Sequence, residues 1–347
     1  DIILNMKDSL KIAIAGATGY VGIQLIKILS NHPNTNIVYL CGRNFIGKSI
    51  NSIDQSIKKK NLPKITNVNN IKWENVNILF TALPNGEAQK LSKTIPKNIK
   101  IIDLSADFRI LKFNDYKKWY GSNHYSKKLM KDSVYAITEF SKKKLKKYRI
   151  ISCPGCYPTS VQLPLLPLIH NKKISTKNIV IDSKSGYSGA GKKIEKKFNN
   201  KDFFKNVTAY GVGAHKHMAE IDQELSKAAK EKINVLFTPH LIPIFRGILT
   251  TMYVDTIKAN NAKSIFNFLK KYHRKNPFVK IAKFNSQIGT ADVINTNFCK
   301  ISICKDSRVK NKIIIISVID NLIKGASGQA VQNMNIACKL NETTGLI

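Results

Sequence analysis

Residues 152–159 read SCPGCYPT, with Cys153 and Cys156 three positions apart around a Pro-Gly pair. That spacing suits zinc ligation, thiol–disulfide exchange, or a single nucleophilic thiolate beside a bystander. Structural zinc asks for a second ligand pair at suitable spacing, and Cys41, Cys299, Cys304 and Cys338 are isolated. A thioredoxin-type pair belongs to a different βαβ setting. The residues after Cys156 favour a nucleophile. Tyr157-Pro158-Thr159 opens a helical pattern with proline in its first turn, where a fixed φ is tolerated. A thiol there meets the positive end of the helix dipole, which favours thiolate, and nearby amides can hold an oxyanion. The plainer alternative is a buried structural cysteine.

A thiolate needs a proton carrier close by. The stretch YGVGAHKHMAEIDQEL offers His215 and His217, with Glu220 at the start of a helical pattern. If that segment is extended, the two histidines point opposite ways, one toward the site and the other toward its neighbours. An H-x-H pair also suits a metal, but no further cysteine or acidic cluster stands near to complete a site, so no metal is expected. His240 reads as a structural hydrogen-bonder. Arg109 in DLSADFR and Arg246 in PIFRG stand out in a chain whose default cation is lysine. A guanidinium fork matches carboxylate or phosphate; an ion pair to Asp or Glu is the plainer alternative.

GATGYVG supplies Gly16, Thr18, Gly19, Tyr20, Val21 and Gly22 between an apolar run and a helical pattern ending near Pro33. Such a turn lets amides and a helix N-terminus face a pyrophosphate; without a ligand it is only a tight βα turn. The next strand ends in Cys41-Gly42-Arg43, with no acid before Asp54. An acid there would repel a 2′-phosphate, whereas Arg43, helped by Lys48, neutralises one, so NADP(H) is expected over NAD.

The elements around these residues fall into two sets. Apolar runs in NIVYLCGR, VNILFTALPNG and NIKIIDLSADFR alternate with helical segments. That alternation predicts an α/β Rossmann domain with a doubly wound parallel sheet over residues 7–156. Beyond it, NIVIDSKSG, NVLFTPHLIPIFRGILTTMYVDTI, CKISICK and KIIIISVID are longer strands with fewer helices. They predict an α+β domain with a mixed sheet over 157–325, whose long strands suit a homo-oligomer interface, dimer or tetramer. Residues 326–347 read as a helix returning to the first domain. Pro164 is expected to interrupt the helix after Cys156.

The chain has 57 Lys+Arg against 22 Asp+Glu, a formal charge of +35. Such a balance raises nucleic-acid binding. The lysines are spread evenly among abundant Ile and Asn, however, as in the residue bias of an AT-rich genome. No zinc finger, helix-turn-helix or basic stripe interleaved with aromatics is visible, so no nucleic-acid partner is expected. An anionic small molecule would benefit from the same field. No apolar run approaches the ~20 residues of a membrane span, so no membrane partner is expected. The first residues lack a signal-peptide pattern, Met6 is a candidate natural start, and scattered cysteines fit a reducing, cytoplasmic setting.

The motifs GATGYVG, DLSADFR, PGCYPT, SKSGYSGAGKK, HKHMAEIDQEL, TPHLIPIFRGILTT and DNLIKGASGQAVQNMN, in this order, resemble N-acetyl-gamma-glutamyl-phosphate reductase, a family of arginine biosynthesis related to aspartate-semialdehyde dehydrogenase. The resemblance implies Cys156 as nucleophile, with His215, His217 and Glu220 in the catalytic site. It also implies Arg109, Arg246 and Ser185 at an acyl-phosphate substrate. Gly186, Ser188, Gly189, Ala190, the Gly325–Gln329 turn and Asn333 would border the nicotinamide of NADP(H). Three departures stand out: Cys153 where the family commonly has Asn, Asn85 in LPNG where it has LPHG, and YAITE at 135–139 where it has YGLPE. Cys153 adds the expectation of a 153–156 disulfide on oxidation.

Overall fold

The structure is a computed structural model, which describes residues 9–192, 205–257, 260–309 and 311–347. Met6 and the residues after Lys192 in the SKSGYSGAGKK motif lie outside them. The chain divides into two compact units, 1–154 with 326–347, and 155–325. The first crossing thus falls two residues earlier than the sequence suggests, and Gly155 and Cys156 belong to the second unit.

In the first unit, β1 (Leu10–Ala15), α1 (Tyr20–Leu29), β2 (Thr35–Cys41), β3 (Ile65–Thr66), β4 (Ile78–Thr81), α2 (Glu87–Ser92), β5 (Lys100–Asp103), α3 (Phe113–Tyr120), β6 (Ser133–Tyr135), α4 (Thr138–Leu145) and β7 (Ile150–Ser152) follow in sequence. The strands form one sheet in the order β3-β2-β1-β4-β5-β7-β6, with every pairing parallel. A parallel sheet covered on both faces needs strands with near-continuous apolar runs, and the central strands have them, with polar residues toward their ends. Ile12, Ile14, Phe80, Ile102 and Ile151 join one buried cluster, while Ala13, Ala15, Leu79, Ile101 and Ile150 join another. β2 and β4 flank β1, so the glycine turn leaves the sheet where the winding reverses, the usual ligand-binding position of such sheets.

The second unit contains α5 (Cys156–His170), β8 (Val180–Gly186), β9 (Thr208–Ala209), α6 (His217–Ala229), β10 (Leu236–Ile242), β11 (Ile248–Asp255), α7 (Ala262–Tyr272), β12 (Val279–Ile281), β13 (Cys299–Lys305) and β14 (Lys312–Ile319). Its sheet, β12-β13-β14-β11-β8-β10-β9, is mixed: β8 and β10 run parallel, while β11 is antiparallel to β8 and β14. The stretch read as one long strand is two. Pro243 and the turn at Gly247 (φ +111°) break it, and the halves lie on either side of β8. The tail forms α8 (Gly328–Ala337), whose Ala330, Val331 and Met334 join the cluster of α1 in the first unit.

Pro164 does not interrupt α5, which runs through both Pro164 and Pro167. An interior proline costs about 3 kcal/mol in a helix and orphans the carbonyl four residues earlier. The Leu163 carbonyl, orphaned by Pro167, accepts a hydrogen bond from His273 Nε2 at 3.1 Å. All of α5 from Tyr157 to Ile169 except Leu166 is buried, so packing offsets the local cost.

Candidate active site

Cys156 is the first residue of α5, half-buried, behind an extended Gly155 (φ −66°, ψ 162°). Helix starts leave backbone N–H groups without intrahelical partners. The Gly155 N–H donates to Glu220 Oε2 at 2.9 Å, from a carboxylate that is wholly buried. Glu220 and His217 lie three apart on α6 and therefore share a face. A Cβ placed on Gly155 would meet His217 Cε1 at 2.7 Å, and one on Gly325 would meet the Cβ of Cys156 at 2.8 Å. Glycine at both positions is what lets the imidazole and the 325 backbone approach the thiol-bearing turn. Replacing Glu220 by leucine leaves the buried Gly155 N–H unpaired; we expect a loss of about 1–3 kcal/mol, read as a lower denaturation midpoint, together with reduced turnover.

The H-x-H pair is not extended. His217 opens α6, and its N–H donates to His215 Nδ1 at 3.1 Å, with the two rings 4.8 Å apart at 68°. His215 packs edge-on against Tyr157, Tyr210 and Phe237. Burial, reinforced by the Lys216 charge, drives its pKa down to about 4. It is therefore neutral near pH 7, with Nδ1 as acceptor. Sequence reasoning missed Tyr157 and Tyr210, whose hydroxyls lie 3.1 Å apart. Burial holds both phenols protonated, with Tyr210 raised to about 12. Their signal was visible in CYPT and in AYGVGAH, but only the fold brings them together. Among the described residues, no three His, Cys, Asp or Glu side chains are grouped to hold a metal.

The other cysteine of the motif differs sharply. Cys153 is 1% exposed, and burial pushes its thiol up to about 12. Its sulfur takes a hydrogen bond from Asn333 Nδ2 at 3.6 Å, and its N–H donates to Asp103 at 2.7 Å. Disulfide formation starts from a thiolate, and burial of Cys153 works against its ionisation; both thiols are free, and the 153–156 disulfide is an expectation for oxidising conditions only. Asn333 belongs to the same buried cluster of hydrogen bonds. It is fully buried, gives its amide hydrogens to Ala136 O and Cys153 Sγ, and accepts from Thr138 Oγ1 at 2.7 Å. These bonds fasten α8 within the first unit.

The remaining predicted residues of the second unit form one loop assembly. Ser185 Oγ donates to Gly186 O at 2.9 Å and hydrogen-bonds the Tyr157 phenol. Ser188 N donates to Phe245 O, and Ser188 Oγ accepts from Asn321 Nδ2, both at 2.9 Å. Gly189 lies against Ser185 Oγ and Asn321. Arg246 Nη1 donates to Asp320 Oδ2 at 3.1 Å and Asn295 Oδ1 at 2.7 Å. The plainer reading of this arginine is thus realised, and Asp320 aims its guanidinium. Asp320 and Asn321 were not foreseen as partners, although both lie in the DNLIKGASGQAVQNMN motif. Arg109, in the first unit, is 7% exposed and donates from Nη2 to Leu104 O at 2.8 Å.

The glycine turn fits a dinucleotide. Gly16 has φ +89°, and a Cβ there would meet the Ala82 carbonyl carbon at 2.8 Å. Gly22 packs equally tightly on Ala17. Gly19 is the N-cap of α1, with no side-chain cap and no acid in the first turn of Tyr20, Val21 and Gly22. The helix start is left for an anion. A Cβ placed on Gly42, next to Arg43, would meet Thr18 Cγ2 at 3.3 Å. Arg43 itself is exposed and ion-paired with Glu87. Lys48 is exposed, its amine 5.8 Å from the Phe45 ring centre.

Comparison with known proteins accords with this geometry. Residues 11–148 match the family model "Semialdehyde dehydrogenase, NAD binding domain", and residues 156–321 match "Semialdehyde dehydrogenase, dimerisation domain". A solved aspartate semialdehyde dehydrogenase II from Vibrio cholerae shares the fold, with TM-score 0.71 at 18% identity over 96% of this chain and 99% of that one. An aspartate semialdehyde dehydrogenase with NADP from Candida albicans gives 0.68 at 17% identity, over 95% and 98%. The probable chloroplastic N-acetyl-gamma-glutamyl-phosphate reductase of Oryza sativa subsp. japonica is 40% identical over 98% of this chain and 81% of its own. The N-acetyl-gamma-glutamyl-phosphate reductase of Ehrlichia ruminantium is also 40% identical, over 99% of each. At that identity and coverage, the chain belongs to the N-acetyl-gamma-glutamyl-phosphate reductase family.

Proposed function

We propose that the protein reduces N-acetyl-L-glutamyl 5-phosphate to N-acetyl-L-glutamate 5-semialdehyde, with release of phosphate, as a step of arginine biosynthesis. The observation that carries this reading is Cys156 at the start of α5, with the His217 ring and the Glu220 carboxylate both against Gly155. The Cys156 thiolate attacks the acyl carbonyl, phosphate leaves, and a thioester remains on sulfur. NADPH, held by the Gly16–Gly22 turn and Arg43, supplies a hydride when bound. His217 gives a proton to the hemiacetal oxygen and takes it back as the carbon–sulfur bond breaks, releasing aldehyde and thiolate. His215, neutral and fastened through Nδ1 to the His217 N–H, positions that ring. Arg246 holds an anionic end of the substrate; Arg109, buried in the first unit, is the weaker candidate for the other. The test is phosphate-dependent formation of NADPH from NADP and N-acetyl-glutamate semialdehyde. Activity on aspartate semialdehyde alone would overturn the substrate and keep the reaction class.

The proposed assembly is a homodimer through the second sheet. One face of that sheet packs on α5 and α7. The other presents Val180, Tyr253, Thr251, Ile314 and Ile316, paired across strands, none of them fully buried. A second copy would cover this strip. Ile316→Asp is expected to convert the dimer to monomer in light scattering; an unchanged mass would rule the face out.

No helix among the described residues is long and apolar enough to cross a membrane. The cytoplasm is the proposed compartment. All six cysteines are free, which supports a reducing setting, and cell fractionation tests it.

A further inference from the structure

The Arg43–Glu87 pair has a position that the cofactor reading does not by itself explain. β1 lies between β2 and β4. Arg43 stands just past the end of β2, and Glu87 opens α2 beyond the end of β4. The ion pair therefore joins the two loops that flank β1, across the edge from which the glycine turn leaves. A Cβ placed on Gly42 would meet Thr18 Cγ2 of that turn at 3.3 Å, so turn, arginine and acid are neighbours within one unit. The arginine side chain is 78% exposed and the glutamate 26%. A solvated pair of this kind is weak, worth a few-fold in an equilibrium at most.

We propose that Glu87 is a built-in stand-in for the 2′-phosphate of the dinucleotide, holding Arg43 until the phosphate displaces it, and so sets the preference between phosphorylated and unphosphorylated cofactor. The inference rests on the reading of the glycine turn as an NADP(H) site and adds a specificity-determining residue to it. A phosphate monoester carries about −1.5 to −2 charge and three acceptor oxygens, against a single charge and two oxygens for the carboxylate. Exchange on Arg43 therefore favours the phosphate. A nucleotide without that group leaves the pair closed and gains nothing from Arg43. Glu87 also repels an incoming 2′-phosphate, so its charge lowers the preference for the phosphorylated form.

The test is calorimetric binding of adenosine 2′,5′-bisphosphate and 5′-AMP to the full chain at low ionic strength, where exposed charges are least screened. Circular dichroism confirms the fold of each variant. Glu87→Gln is expected to tighten the bisphosphate by about two- to five-fold and to leave 5′-AMP unchanged. Arg43→Gln should weaken the bisphosphate about tenfold or more, and in that background Glu87→Gln should have no effect. If the wild-type chain prefers the bisphosphate but Glu87→Gln does not tighten it, the inference fails and the cofactor reading stands. Equal wild-type affinity for both ligands also overturns it, because Arg43 then reads no phosphate. Binding of neither ligand overturns the cofactor reading and the inference together.

Discussion

Cys156→Ser is expected to lower semialdehyde formation by about four orders of magnitude or more, the scale seen when a covalent nucleophile is removed, while NADPH still binds. The serine hydroxyl stays protonated near neutral pH even at a helix start, so no thioester or equivalent ester accumulates. Cofactor binding survives because the glycine turn and Arg43 belong to the other unit. Cys153→Ser should remain close to wild type. Its thiol, pushed up to about 12 by burial, is not ionised at working pH, and a smaller hydroxyl costs only local packing beside Asn333. Iodoacetamide near neutral pH should accordingly label Cys156 first, with activity falling in step. An active Cys156→Ser with an inactive Cys153→Ser would reverse the choice of nucleophile.

Replacing the proposed proton carrier, His217, comes second in size. His217→Asn is expected to reduce kcat by about 10²–10⁴-fold, the usual contribution of a positioned acid–base group, with little change in NADPH affinity. His215→Asn should cost less, because asparagine still offers an oxygen to the His217 N–H. The two variants also separate in acid. The folded pKa of His215, about 4, lies below the ordinary histidine value of 6.5. The unfolded chain therefore takes up the proton first. The stability tied to the neutral ring is full above about 6.5 and is lost as pH falls toward 4. His215→Asn should flatten that part of the stability curve, measured by urea midpoints at several pH values, and His217→Asn should retain it. A larger kcat loss for His215→Asn than for His217→Asn would exchange their roles.

The reading from sequence went furthest where the signal is local. A glycine turn between an apolar strand and an amphipathic helix, a cysteine followed by a helix-starting Tyr-Pro-Thr, and an arginine in place of an acid after the second strand are each contained within a few residues. Backbone geometry repeats over that distance, so periodicity and turn chemistry carry the information. The alternating strands and helices of the first unit, and the longer strands of the second, were legible for the same reason.

Tertiary structure decided what depends on burial and on partners far along the chain. The helix through Pro164 and Pro167 was not foreseen because what offsets their cost is tertiary: α5 is buried almost along its whole length, and His273, 110 residues from Leu163, satisfies the carbonyl that Pro167 frees. The partners of Asn333 at 136, 138 and 153 could not be read from sequence, because they surround it only after α8 returns to the first sheet. The contrast in burial between two cysteines three residues apart is the sharpest case. Their local sequences are nearly alike, but ionisation answers to solvent and to helix ends: one sulfur is sealed among apolar side chains, and the other stands half-buried at a helix start.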